Sequence, residues 1–192
     1  TIFTLYSNRP DFIKLQKECL DKHLKDDYKW VIVNNRGYFY DKTENIEEEC
    51  FEQGIECLRI EHKEEIEVSQ LVANSLNFLW REHISKLSGL VIVMDSDLFL
   101  TSDVSFVDLL GNNDIFFCPQ YTDGHIWPWP GFMGFNMDSI KAEDVSFSLL
   151  KINDRYGDVG SGLNIYIEKH KPKVKLIERQ EIIDQDWPVP NT

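Results

Sequence analysis

Leu90-Val91-Ile92-Val93-Met94 runs without a spacer into Asp95-Ser96-Asp97, and this junction sets the architecture expected of the chain. Five apolar residues in a row, mostly β-branched and bounded closely on both sides, describe a strand covered on both faces, as in the middle of a parallel sheet. In such sheets ligands sit beyond the carboxyl ends of the strands, so the two acids stand where binding takes place. Carboxylates one residue apart can both turn toward one hard cation where the backbone bends, and Mg2+ or Mn2+ prefers oxygen ligands. An isolated D-x-D triplet reads as a solvated loop; the apolar strand directly in front of this one favours the ligand-binding reading.

Outward from the junction, strands alternate with helices. Upstream, Val68, Leu71, Val72, Leu76, Leu79, Trp80 and Leu87 mark one face of a long helix beginning near Glu65. Residues 2–6, 28–33 and 55–60 read as strands, and Asn34-Asn35-Arg36-Gly37 as turn formers. A first helix opens at Pro10-Asp11 and carries Phe12, Leu15, Cys19, Leu20 and Leu24 at helical spacing; a short acidic helix covers 45–53, with Asn45 as its N-cap. Downstream, residues 114–118, 132–137 and 174–177 read as strands and 140–151 and 160–170 as helices. The aromatic, proline-rich stretch 121–131 reads as a loop. The pattern predicts βαβ units with right-handed crossovers: a single α/β domain, Rossmann-like, with a mostly parallel sheet flanked by helices.

Composition narrows the function. The chain has 192 residues, 42% hydrophobic, with 33 acids against 20 Lys and Arg and a net charge of −13. A broad electrostatic footprint for nucleic acid or an anionic membrane is missing. An anionic small ligand needs a local counter-charge, and a divalent metal supplies one. Cys19, Cys50, Cys57 and Cys118 show no C-x-x-C spacing and read as reduced thiols. No apolar run is long enough for an integral membrane segment and the first residues are too quickly polar for a secretory leader, so the expectation is an intracellular, cytoplasmic protein.

At this point the sequence resembles a known family. Val91-Ile-Val-Met-Asp95-Ser-Asp97-Leu98 is similar to the metal-binding segment of glycosyltransferases with the GT-A fold. Phe3-Thr-Leu-Tyr-Ser-Asn8-Arg9-Pro10 resembles their first strand and nucleotide-contacting turn. Ala73-Asn74-Ser75-Leu76 resembles their A-R-N-x-x-L helix but lacks its Arg. Trp129 to Met137 is similar to the strand after their acceptor loop, and Asp158-Val159-Gly160 with Leu163-Asn164 to their D-x-G segment. The match covers about residues 1–170 and extends to the small glycosyltransferase domains of large algal-virus proteins, which implies one domain of a larger protein, in the host cytoplasm if viral.

The resemblance implies a nucleotide-binding half over about residues 1–100 and an acceptor-binding half over 101–192. It implies a nucleotide-sugar donor, UDP-linked by expectation, a glycan or glycoprotein acceptor, and a Mn2+ or Mg2+ ion. Asp97 would bind the metal directly, and Asp95 would reach the metal or the ribose hydroxyls, with Ser96 beside the nucleotide. Tyr6, Ser7 and Arg9, at the end of the first strand, offer an aromatic face and polar groups for a base; Tyr6 as core and Arg9 as surface charge are the plainer reading. Asn34 stands where relatives carry an Asp that reads the base edge, and Asn74 lies on the polar edge of the long helix. His125, Trp127 and Trp129 would form the acceptor platform, since rings on a rigid loop suit the apolar C–H faces of sugars. Asp158 is the candidate base for the acceptor hydroxyl, and equally a helix N-cap. A third metal ligand is open among His170, Asp184 and Asp186.

Rival readings share single features only. Haloacid-dehalogenase-like phosphohydrolases also open with D-x-D after a strand, but need Thr or Val where Phe99 stands and a later acidic motif that Gly157-Asp158 does not complete. A nucleotidyltransferase needs a glycine-rich loop after the first strand, and Ser7-Asn8-Arg9 has no glycine. A non-catalytic carbohydrate-binding module would use Trp127 and Trp129 alone.

Overall fold

The apolar runs of the first half form four parallel strands, β1 (Ile2–Tyr6), β2 (Trp30–Arg36), β3 (Glu56–Glu61) and β4 (Leu90–Asp95), in the spatial order β3-β2-β1-β4. Their connections carry α1 (Asp11–His23), α2 (Ile46–Glu52) and α3 (Val68–Glu82). Beyond β4 the sheet continues through β6 (His125–Asn136), β5 (Ile115–Thr122) and β9 (Val174–Leu176), to seven strands. Among these, β6 alone runs against its neighbours. A short helix α4 (Phe106–Leu110), a two-stranded ribbon of β7 (Lys151–Ile152) and β8 (Arg155–Tyr156), and α5 (Leu163–His170) complete the order. The computed structural model describes residues 1–36, 46–61, 67–122, 125–152, 155–157 and 159–178. The architecture is the helix-flanked, mostly parallel α/β sheet expected.

The central strand explains its own composition. Val91 and Val93 point into a cluster with Phe3, Val31, Val33 and the inner face of α3, including Leu76, Leu79 and Trp80. Ile92 and Met94 point the other way, onto Ile13 and Leu20 of α1 and Phe106 of α4. Both faces of β4 are therefore covered, and each large apolar side chain buried there contributes roughly 1.5–3 kcal/mol. Cys19, Cys50, Cys57 and Cys118 are free thiols. Among the described residues, no helix is long and apolar enough to cross a membrane.

Four local expectations are corrected. The buried stripe of α1 is Ile13, Gln16 and Leu20, whereas Leu15 is 44% exposed and Phe12 and Cys19 are only half-buried. β2 does not stop before Asn34 but extends through Arg36. Leu87 lies past the end of α3, beyond a 3-10 turn at Ile84–Lys86. Residues 140–151 are not a helix: a 3-10 turn at Ala142–Asp144 gives way to extended chain in which Val145 and Phe147 are buried and Ser146 and Ser148 are not. That period of two belongs to a strand-like segment. It is fixed by the Phe147 N–H donating to Asn77 Oδ1 at 2.8 Å and by edge-to-face packing of Phe147 on Trp80 at 5.5 Å.

The largest difference is the stretch 121–131, whose described residues are strand rather than loop. β5 and β6 form a hairpin in which Gln120 faces Trp127 and Pro119 faces Pro128, with a bulge between Phe117 and Cys118. Two prolines paired with each other ask for no ladder N–H from one another, so the strand tolerates both. β6 also outruns β4, whose last partner on it is Phe132, opposite Met94.

Candidate active site

The acids form a turn at the carboxyl end of β4. Asp95 is the last strand residue, and the Leu98 N–H donates to the Asp95 carbonyl at 3.3 Å. Asp97 is exposed; Asp95 and Ser96 are half-buried. The Asp95 carboxylate is seated against Gly131 of β6, where a Cβ would lie 2.5 Å from Asp95 Oδ2 and 2.2 Å from Cζ2 of Trp129. Only a glycine lets the carboxylate and the indole edge approach the strand there together. Burial first, and the Asp97 charge second, push the Asp95 carboxyl up to about 6. Among the described residues, no Lys, Arg or His forms an ion pair with Asp95 or Asp97.

That electrostatic state fits a divalent cation. Two neighbouring oxygen acids, one of them disfavoured as an anion by burial, lack the positive charge that would relieve them. Among the described residues, no group of three or more His, Cys, Asp or Glu is placed to hold a metal. A Mg2+ or Mn2+ held by one or two carboxylates, with phosphate and water completing its shell, does not need one.

Beneath the turn lies a residue that sequence reading passes over. Gln16 is fully buried in α1, and its Nε2 donates to the carbonyls of Asp95 (2.9 Å) and Leu98 (2.7 Å). Its Oε1 accepts from the Tyr6 hydroxyl at 2.8 Å. The one available signal is a polar residue at the centre of the stripe Ile13, Gln16, Leu20. Tyr6 has no exposed surface, so its ring belongs to the core and offers no open face to a base; burial raises its phenol far above the ordinary value.

The other predicted residues divide. Ser7 is half-buried beside the end of β1. Arg9 is exposed and folded onto the start of α1, with Nε and Nη2 donating to both oxygens of Asp11 at 2.9 and 2.6 Å and its guanidinium 3.6 Å from the Phe12 ring centroid. Asn34 is buried; its Nδ2 donates to Glu47 Oε1 at 3.1 Å, and its Oδ1 has no hydrogen-bond partner among the described residues. Asn74 is exposed on α3, accepting from Gln70, whereas the next residue, Ser75, is buried and donates to Asn35 Oδ1 at 2.6 Å. Trp127 is buried, at 4% exposure, and does not project a free ring; Trp129 is half-buried beside Asp95. His125 opens β6. Asp158, Asp184 and Asp186 lie outside the described residues. His170 sits at the far end of α5, its Nε2 2.6 Å from Asp144 Oδ2. The structure thus brings Asp95, Ser96, Asp97 and Trp129 together, and adds Gly131 and Gln16.

No protein-family model matches the sequence, and no curated protein does. Solved structures do. A mannosyltransferase, PcManGT, from Pyrobaculum calidifontis, solved in complex with GDP-Man and Mn2+, aligns over 92% of this chain and 53% of its own, with a TM-score of 0.57 and 12% identity. The bifunctional glycosyltransferase WbbM aligns over 92% of this chain and 38% of its own, with a TM-score of 0.53 and 10% identity. Mouse xyloside xylosyltransferase 1 aligns over 92% and 84%, with a TM-score of 0.52 and 9% identity. The chain spans about half the length of the mannosyltransferase, 53%, and less of WbbM. At these identities the likeness is one of backbone architecture, and it establishes that the chain has a GT-A-like glycosyltransferase fold.

Proposed function

We propose that the chain is a divalent-metal-dependent glycosyltransferase that moves a sugar from a nucleoside-diphosphate donor to a hydroxyl of a glycan or glycoprotein. The observation that carries this reading is the Asp95-Ser96-Asp97 turn: two carboxylates at the carboxyl end of the central strand, without a cationic partner among the described residues, one of them seated against Gly131 and Trp129. Asp97, exposed, and Asp95, half-buried, would hold Mn2+ or Mg2+. When bound, such an ion offsets the negative charge that builds on a departing diphosphate.

The chain's own residues supply the rest. Ser7 and Ser96, both half-buried, line the end of the sheet where the nucleotide would lie. Trp129 sets an apolar ring edge beside the acids, where the C–H face of a sugar can rest and water is displaced. Asp158, in the segment leading into α5, is assigned as the base for the acceptor hydroxyl. The fold shared with a mannosyltransferase solved with GDP-Man and Mn2+ supports the reading, and UDP-sugars are the first donors to test.

The test is a thermal-shift panel of UDP-, GDP- and TDP-sugars with and without Mn2+. A matching donor at about 100 Kd adds ~2.7 kcal/mol, a rise of roughly 5–10 °C in Tm for a domain of this size. The rise should require Mn2+ and vanish in Asp97→Asn, whose metal-free fold is intact because the side chain is exposed. If no nucleotide sugar shifts Tm in a metal-dependent manner, the proposal is wrong.

A further inference from the structure

We propose that Gln16 is a positioning residue for the paired acids: its buried amide, locked by Tyr6, holds the turn at residues 95–98 in the shape that aims Asp95 and Asp97 at one cation. Carbonyl oxygens only accept, so the two main-chain carbonyls at Asp95 and Leu98 fix which end of the Gln16 amide is Nε2. Oε1 is then left to the Tyr6 hydroxyl, which donates to it. The amide is engaged at three points, and neither Gln16 nor Tyr6 has exposed surface.

The connection is long in sequence and short in space. Gln16 reaches across 79 and 82 positions to the two carbonyls, tying α1 to the turn after β4, while Tyr6 brings in the end of β1. The Asp95 carbonyl takes a second donor, the Leu98 N–H, so both ends of the turn are pinned from below and it is closed upon itself from within. The carboxylates themselves receive nothing from this network. Gln16 therefore cannot tune them as a ligand would; it acts through the backbone that carries them. An apolar side chain of equal volume would fill the stripe between Ile13 and Leu20 as well and bury no amide, so packing alone does not ask for glutamine here. The inference rests on the proposed metal site for its purpose, but not for the hold on the turn.

Gln16→Met keeps the volume and removes both donors; Tyr6→Phe removes only the lock. Hydrogen exchange read by mass spectrometry on the metal-free proteins, and Mn2+ titration by calorimetry, test them. In Gln16→Met, exchange of the peptide spanning 96–98 should speed up about tenfold, the loss of roughly one net hydrogen bond, with little change in β4 itself. The Mn2+ Kd should rise by a similar factor, and Tyr6→Phe should move both readouts in the same direction by less. Wild-type exchange at 96–98 with wild-type Mn2+ affinity would overturn the proposal, and so would faster exchange spread evenly over the core. Should Gln16→Met fail to fold, Tyr6→Phe decides on the same two readouts. If the wild-type protein itself takes no Mn2+, the metal-site reading and the purpose assigned to Gln16 both fall, while exchange still judges its grip on the turn.

Discussion

Replacing Gly131 with alanine tests the geometry around the acids most directly. Gly131 is in extended backbone within β6, so the substitution meets no conformational objection of its own. Its effect is steric. The new Cβ would lie 2.2 Å from Cζ2 of Trp129 and 2.5 Å from Asp95 Oδ2, against an ordinary contact distance that begins at 3.4 Å. The indole must retreat by about 1.2 Å or the strand must shift, and the carboxylate by about 0.9 Å. Overfilling a packed site in this way costs about 1–3 kcal/mol. For a domain of this length that lowers Tm by roughly 2–12 °C. The loss should be larger in function than in stability, because the group displaced is one of the two carboxylates meant for the cation. Calorimetric melting with and without Mn2+ separates the two effects. The variant should melt cooperatively, a few degrees low, and show little or none of the wild-type Mn2+ shift. A Gly131→Ala protein with unchanged Tm and an unchanged Mn2+ shift would mean that Asp95 and Trp129 do not crowd this glycine.

Two further outcomes follow from the titrating groups. The neighbouring Cys50 thiol holds the Cys57 pKa below the ordinary thiol range, with the Asn34 N–H assisting, while Cys57 and burial push Cys50 up. Iodoacetamide at pH 7.5 should therefore modify half-buried Cys57 well before buried Cys50, and Cys50→Ala should slow Cys57; peptide masses over time report it, and an unchanged Cys57 rate in the variant would refute the influence of Cys50 on it. Asp144 is held below the usual carboxylate range by Lys169 first and His170 second. The stability it contributes is then complete above the ordinary carboxylate pKa of about 4 and is lost as pH falls through the lowered value. The Tm gap between wild type and Asp144→Asn should close between about pH 5 and pH 2, and a gap that persists in acid would rule the pairing out.

Much of the sheet was legible in the sequence because its signals are local. A continuous apolar run in β4 announces two covered faces, and the acids directly after it announce the end where ligands gather. Several of the failures share a cause, a partner that the local pattern does not show. Asn34 and Asn35 read as turn formers, yet they continue β2, where Glu47 accepts from Asn34 Nδ2 and Ser75 donates to Asn35 Oδ1. Gln16 breaks an apolar stripe for the sake of carbonyls more than seventy positions away. Trp127, Pro128 and Trp129 obey the local grammar of a loop, and become a strand only through their pairing with β5. Of the proposed site, the acids and Trp129 could be named beforehand; the glycine and the glutamine that arrange them could not.

The prolines of β6 also bear on how this protein behaves in a crowd of its own copies. Opposed residues in an antiparallel pair either exchange both main-chain bonds or neither, and Pro119 facing Pro128 can exchange none. The main-chain groups at 128 therefore point to the side where β4 has already ended. A row of that kind, left open, would invite another chain to add a strand. Here Pro128 has no N–H to give and is buried, its carbonyl is shielded by Gly160, whose Cβ, if it had one, would come within 2.2 Å of that oxygen, and the Ile126 carbonyl accepts from Asn164 Nδ2 at 2.9 Å. The aromatic hairpin beside the acids can stay open toward small ligands without becoming a template for aggregation.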